Sequence, residues 1–365
     1  HAHPEIGFQE TRTSGIVAEL LERWGIATHR GIGGTGVVGV LEGRGPGRRI
    51  GLRADMDALP MEEETNLPWR STTPGVMHAC GHDGHTTMLL GAARYLAETK
   101  DFDGTAIFIF QPAEEGLGGA RAMLADGLFE RFPCDEIYGM HNSPYHPHGV
   151  VGVKPGTAMA GADFFDFTIR GRGSHGAMPE VSRDPVVAGS ALVQALQSIV
   201  SRNVGARDSA VLSVTMFNAG SAYNVVPSEA RLGGTVRFLD ESVGKLVRER
   251  MERVAAGIAS AFEVEIDADI RPTFSTLQND DALSREMVAA AADVVGADLA
   301  IIKDEPVMGS EDFADMLHVV PGAYCTVGQH GDVPLHNPGF VFDDAALPIG
   351  ASVYARMVER RGRAA

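Results

Sequence analysis

Nine consecutive residues, Met77-His78-Ala79-Cys80-Gly81-His82-Asp83-Gly84-His85, hold one thiol, three imidazoles and a carboxylate. Thiolate, imidazole and carboxylate together are what a borderline-soft divalent ion selects, and Cys80 with His82 could face one ion or two neighbouring ones. His78 and His85 read better as supports for the helix that follows. Gln111-Pro112-Ala113-Glu114-Glu115-Gly116 comes directly after the apolar run 107–110. Both carboxylates should then stand at a strand's C-terminal end, where open α/β sheets bind their ligands. Adjacent glutamates on a turn can diverge, one binding metal and one holding a water, which is the division of labour hydrolysis needs. An exposed acidic turn is the plain alternative. His141 ends the strand 137–140, and Asp55 and Asp57 follow the strand 50–54, so three strand ends converge on one edge. His336 lies in the turn sequence Leu335-His336-Asn337-Pro338-Gly339-Phe340, where a structural and a functional role fit equally well. A cysteine nucleophile paired with a base would leave Glu114, Glu115, His141 and His336 without a role. Zinc deaminase chemistry calls for C-x-x-C, which the chain lacks.

These residues need a scaffold, and the sequence outlines one. With 365 residues, two domains are expected. Between residues 37 and 139, β-rich runs at 37–41, 50–54, 106–110 and 137–140 alternate with helical spacing at 13–24 and 86–97, the pattern of a parallel α/β sheet with crossover helices. Ile16, Leu20 and Trp24 should share one buried face, as should Leu89, Ala92, Ala93 and Leu96. A different rhythm starts near residue 161. Phe165, Phe167 and Ile169 alternate with polar residues, and Asp184 with Pro185 starts a helix carrying Leu192, Leu196 and Ile199. Leu212, Val214 and Met216 alternate before a hairpin partner at 230–238, and a second helix and a last strand follow. The order β-α-β-β-α-β is the ferredoxin-like arrangement. It occupies 161–271 as an insertion in a catalytic domain made of 1–160 and 272–365.

Composition narrows the partners. Hydrophobic residues make up 44%, yet no apolar run approaches the ~20 residues of a membrane helix, so no membrane span is expected. The net charge of −17 disfavours nucleic acid and anionic lipid. Cys80, Cys134 and Cys325 are too few and scattered for a disulfide framework, which points to the cytoplasm. The sequence starts at His1 with no initiator Met, so a short preceding piece is expected, which leaves room for a cleaved signal.

Taken together, these segments resemble the aminoacylase and carboxypeptidase family of two-metal peptidases. The resembling branch is that of hippurate hydrolases, N-acyl-amino-acid amidohydrolases and indoleacetyl-amino-acid hydrolases. The resemblance spans almost the whole chain, from His3-Pro4-Glu5-Ile6-Gly7-Phe8 through Leu52-Arg53-Ala54-Asp55-Met56-Asp57-Ala58-Leu59-Pro60 and the Cys80 segment to His336. It implies a metal-dependent exopeptidase-like α/β catalytic domain with an inserted dimerisation and lid domain. It also implies Cys80, His82, Glu115, His141 and His336 as ligands of two divalent ions, with the thiolate between them and Glu114 as general base. In Gly173-Ser174-His175-Gly176-Ala177-Met178-Pro179-Glu180, His175 is similar to a histidine that stabilises the oxyanion, often in the partner subunit's site. Asn224 and Arg237 resemble holders of the substrate carboxylate, and Gly309 and Ser310 belong to a segment resembling a pocket loop. An arginine on a small domain's strand could equally be a surface ion pair, and Asn224 could simply make a turn.

The chain departs from the wider family in two places. Asp55-Met56-Asp57 stands where many relatives outside this branch have His-x-Asp, so Asp55 is not expected to be a ligand and Asp57 should orient a neighbouring histidine. Cys80 replaces the usual bridging Asp, a softer and oxidisable bridge. The implied activity is hydrolysis of N-acyl amino acids by a homodimer or dimer-based oligomer, with zinc, manganese, cobalt and nickel all open. The alternatives are a dipeptidase or carboxypeptidase of the same family, or a non-catalytic protein that binds amino-acid conjugates.

Overall fold

A computed structural model describes residues 1–363. The chain divides into two compact units, one of His1–Ala158, Leu277–Glu305 and Asp312–Ala365, the other of Met159–Thr276 and Pro306–Glu311. The short return Pro306–Glu311 groups with the second unit because Ala160 N–H donates to the carbonyls of both Val307 and Gly309, at 3.1 and 3.0 Å.

The first unit is built on an eight-stranded sheet in the order Ala27–Ile32, Gly36–Glu42, Thr105–Gln111, Arg49–Asp55, Glu136–Ser143, Gly322–Gly328, Val151–Val153, Ala300–Ile302. The expectation of a parallel sheet needs correction, because the sheet is mixed. Ala27–Ile32, Gly36–Glu42 and Thr105–Gln111 pair antiparallel, and Val151–Val153 runs antiparallel to Gly322–Gly328. The four central strands, Thr105–Gln111, Arg49–Asp55, Glu136–Ser143 and Gly322–Gly328, are mutually parallel. They are buried almost end to end, as strands covered on both faces must be. Helices His82–Thr99 and Leu347–Arg361 pack on each other and bury Leu89, Ala92, Ala93 and Leu96 with Val353, Tyr354 and Met357 in one core with the sheet. In helix Thr11–Arg23 the buried stripe is Val17, Ala18 and Leu21 rather than the one through Ile16, which is exposed. The helix is turned about one residue from the expected face.

The second unit has a four-stranded antiparallel sheet ordered Ala210–Ala219, Glu229–Phe238, Gly161–Arg170, Glu265–Phe274, with helices Pro185–Asn203 and Glu241–Phe262. Phe165, Phe167 and Ile169 point into its core with Leu192, Leu196 and Ile199. Asp184 caps the first helix by accepting from Val186 N–H at 2.8 Å, with Pro185 at the first position. Met216 does not join Leu212 in the core. The register slips between Val214 and Met216, and the bulge turns Met216 and Phe217 outward on an edge strand. Among the described residues, no helix is long and apolar enough to cross a membrane.

Candidate metal centre

The four central strands finish at one edge of the sheet, and the donors gather there. Glu136–Ser143 carries His141, Thr105–Gln111 runs into the Glu114–Glu115 turn, and Arg49–Asp55 leads to Asp57. His82 is the first residue of helix His82–Thr99, so it sits on a rigid element rather than a loop. Gly81 before it has φ 101, and a Cβ there would meet Asn142 Oδ1 at 2.5 Å, so a glycine is required for Cys80 and His82 to approach His141. The Cys80 loop is pinned where Leu59 and Met77 exchange backbone hydrogen bonds of 2.9 and 3.0 Å. The His336 N–H donates to Ala79 O at 2.8 Å. His336 itself has φ 60, a left-handed conformation costing about 1–2 kcal/mol for a residue with a Cβ.

Cys80 Sγ lies 3.3 Å from Nε2 of His141 and 3.3 Å from Nε2 of His336. It belongs to two donor trios, Cys80 with His82 and His141, and Cys80 with Glu115 and His336, each with its donor atoms within 4.8 Å of one another. A third trio, His82 with Glu114 and Glu115, places Glu114 beside them. The imidazoles are oriented from behind. His141 Nδ1 is 2.7 Å from the Asn142 carbonyl, which can only accept, so Nδ1 carries the proton and Nε2 offers a lone pair towards Cys80. His82 Nδ1 lies 3.2 Å from Asp57 Oδ1, and Asp57 Oδ2 accepts the Glu115 N–H at 3.0 Å.

Glu115 Oε1 is sealed from solvent with no hydrogen bond among the described residues, although His336 Nε2 stands 3.3 Å away out of alignment. A buried carboxylate oxygen facing a thiol and imidazoles is costly without a cation. The sulfur, nitrogen and oxygen donors, with one thiol common to two trios, fit a pair of divalent ions.

The surroundings favour the protonated form of Cys80, His82 and His336 and the neutral form of His141. Burial pushes the Cys80 thiol up, with Glu115 adding to it. Burial and the neighbouring His85 hold His141 well below the usual imidazole range. Cys80 and the nearby Glu115 carboxylate raise His336 to about 10. Burial works against a charged His82, yet Asp55, Cys80 and Asp57 keep it well above the ordinary value. A divalent ion must compete with these protons, so its affinity falls as acid is added.

A fully buried network supports the cluster, and sequence reasoning had not assigned it. Arg53 donates to Asp55 at 2.7 Å, Gln111 at 2.8 Å and Asp312 at 3.0 Å. Asp312 N–H faces Glu114 Oε1 at 3.3 Å. Asp55 also meets His85 Nδ1 at 2.6 Å and is engaged in this ion-pair network. Its available signal was a charged residue inside the apolar strand Leu52-Arg53-Ala54. His85 is buried against Asp55 and Asn142, while Nδ1 of the buried His78 has no hydrogen-bond partner among the described residues.

In the second unit, Ser174–His175 pairs with Val225–Val226, and Gly176 N–H donates to Asn224 O at 2.7 Å. His175 and Asn224 line one cavity of about 610 Å³. Ala177 N–H donates to His175 Nδ1 at 3.0 Å, which leaves Nε2–H as an outward donor. Arg237 is half-buried against Thr235 and the Phe164 ring. Ser310 Oγ is sealed from solvent with no hydrogen-bond partner among the described residues, and Gly309 contributes its carbonyl to Ala160.

Comparison with known proteins adds to this geometry. The family model described as Peptidase family M20/M25/M40 matches residues 51–360. A hippurate hydrolase of Campylobacter jejuni is 44% identical over 357 residues, covering 98% of this chain and 93% of the relative. An N-acetylcysteine deacetylase of Bacillus subtilis is 39% identical, covering 98% and 93%. Among solved structures, the Bacillus subtilis YXEP protein, described as a dinuclear metal binding peptidase, superposes with a TM-score of 0.84 at 36% identity, covering 99% of this chain and 94% of its own.

Proposed function

The chain belongs to peptidase family M20/M25/M40 and is a metal-dependent amidohydrolase of N-acyl amino acids, and we propose that it works with Glu114 as general base. The observation that carries this reading is the single thiol of Cys80 shared by two donor trios, with Glu114 in a third.

Cys80, His82, Glu115, His141 and His336 would hold two divalent ions, Cys80 between them. Such ions, when bound, acidify a water and polarise the amide carbonyl. Glu114 accepts the proton of the attacking water on its carboxylate and returns it to the leaving amine nitrogen. Asp57 keeps His82 in the ligating tautomer. His175, with Nε2–H free to donate, is read as the donor to the developing oxyanion. Arg237 and Asn224 are read as holding the substrate carboxylate, beside the Gly309 and Ser310 segment. Zinc, manganese, cobalt and nickel all suit this donor set.

The inserted unit is read as a ferredoxin-like lid and dimerisation domain. Its exposed edge strand Ala210–Ala219, with Val211, Met216 and Phe217 outward, supports a homodimer. A reducing cytoplasm would keep the Cys80 thiolate available as a ligand.

The test is release of free amino acid from a panel of N-acyl amino acids and dipeptides by metal-reconstituted, reductant-protected protein. Turnover of N-acyl amino acids supports the reading. Turnover of dipeptides alone favours a peptidase, and binding without turnover favours a conjugate-binding protein.

A further inference from the structure

The segment His3-Pro4-Glu5-Ile6-Gly7-Phe8-Gln9-Glu10 has no part in the chemistry above, yet it is docked on the turn that carries Glu114. Glu10 is fully buried. Its Oε1 accepts the Ala113 N–H at 2.9 Å, and its Oε2 accepts the Thr35 hydroxyl at 2.5 Å. Ala113, immediately before Glu114, has φ 54, a left-handed conformation that alanine rarely holds. Its carbonyl accepts Gly119 N–H at 3.0 Å, so the turn is tied on both sides of the strained residue. Gly7 lies so close that a Cβ on it would meet Ala113 Cα at 2.9 Å and Leu117 Cδ1 at 2.7 Å. The same segment reaches the other support of the cluster, because Ala58 N–H, next to Asp57, donates to Glu5 O at 2.8 Å.

We propose that Glu10 is a positioning residue for hydrolysis: its carboxylate, steadied by Thr35, fixes the left-handed turn at Ala113 and so the direction in which Glu114 presents its own carboxylate. A buried N–H without an acceptor is unfavourable, so losing Glu10 releases Ala113 towards ordinary backbone angles and swings the next residue. Proton transfer depends on heavy-atom distances of hydrogen-bond length, so a small swing is felt in the chemical step. The inference rests on Glu114 being the general base.

The experiment compares kcat, KM and bound metal for metal-loaded full-length protein acting on an N-acyl amino acid that the parent protein hydrolyses. Glu10→Ala lowers kcat by about 10–100-fold, leaving KM and metal content unchanged. Glu10→Gln keeps most of the activity, because its amide oxygen still accepts from Ala113 and its NH2 can reach Thr35. In a Glu114→Ala background, Glu10→Ala changes the residual rate no further, since it acts through Glu114. Parent-level kcat in folded Glu10→Ala overturns the proposal. So does a fall in kcat matched by loss of metal, or a further fall in the Glu114→Ala background. Should Glu10→Ala fail to fold, Thr35→Val takes its place, and unchanged kcat there overturns the proposal equally. Full turnover by Glu114→Ala alone would instead remove the general-base reading and this inference with it.

Discussion

Asp57 Oδ1 lies 3.2 Å from His82 Nδ1, so the imidazole keeps its other nitrogen for the donor cluster. The second oxygen of Asp57 holds the backbone of Glu115, so one carboxylate sets two donors. Asp57→Ala is expected to weaken metal affinity or activity by about 10–100-fold, measured by chelator competition and turnover. Unchanged affinity and activity would separate Asp57 from the cluster.

Cys80 should be protected by the ions it binds. In chelator-treated protein held at alkaline pH, where the raised Cys80 thiol ionises, peroxide should add oxygen to Cys80, seen as a mass increase on its peptide, and block reconstitution. Metal-loaded protein should resist. Equal oxidation of Cys80 in both forms would argue against its being a ligand.

Glu5 caps helix Thr11–Arg23 from outside, accepting from Thr13 N–H at 2.8 Å and Arg12 N–H at 3.0 Å. Burial pulls its pKa up, but these bonds outweigh it and hold the carboxyl below its ordinary value of 4.5. A folded-state pKa below the unfolded value stabilises above that unfolded value, and the gain disappears as pH falls through the folded one. Glu5→Ala should therefore cost about 0.5–2 kcal/mol near neutral pH, and the gap should close below pH 4.5 in denaturant titrations. A gap that widens in acid would contradict the capping role.

Arg53 is fully buried between Asp55 and Asp312. Arg53→Met removes the cation shared by two buried carboxylates and should destabilise by about 3–5 kcal/mol in urea unfolding of metal-free protein. A loss below about 1 kcal/mol would show that the neighbours relax or protonate cheaply.

Part of the donor arrangement was legible because His141, Glu114, Glu115 and Asp57 each lie at or just after the end of an apolar strand, whereas Cys80, His82 and His336 lie on a loop, a helix start and a turn. His141, the Glu114 turn and Asp57 were expected at strand ends, and the structure puts them on one edge. Strand direction was not legible, because alternation and apolar runs report burial, not the direction of a neighbour. The three-residue strands Val151–Val153 and Ala300–Ile302 are too short to leave a period. The left-handed backbone at Ala113 and His336 also left no mark, since neither position is a glycine. Those angles are imposed by contacts distant in sequence, from Glu10 and from Ala79.

Glu114 is the residue on which the proposed chemistry turns. The most direct test is kcat for an N-acyl amino acid with fully metal-loaded Glu114→Ala beside the parent protein, with metal content measured on the same samples. The account predicts a fall of about 10²–10⁴-fold with both ions retained. Undiminished turnover in the folded, metal-replete variant would contradict it.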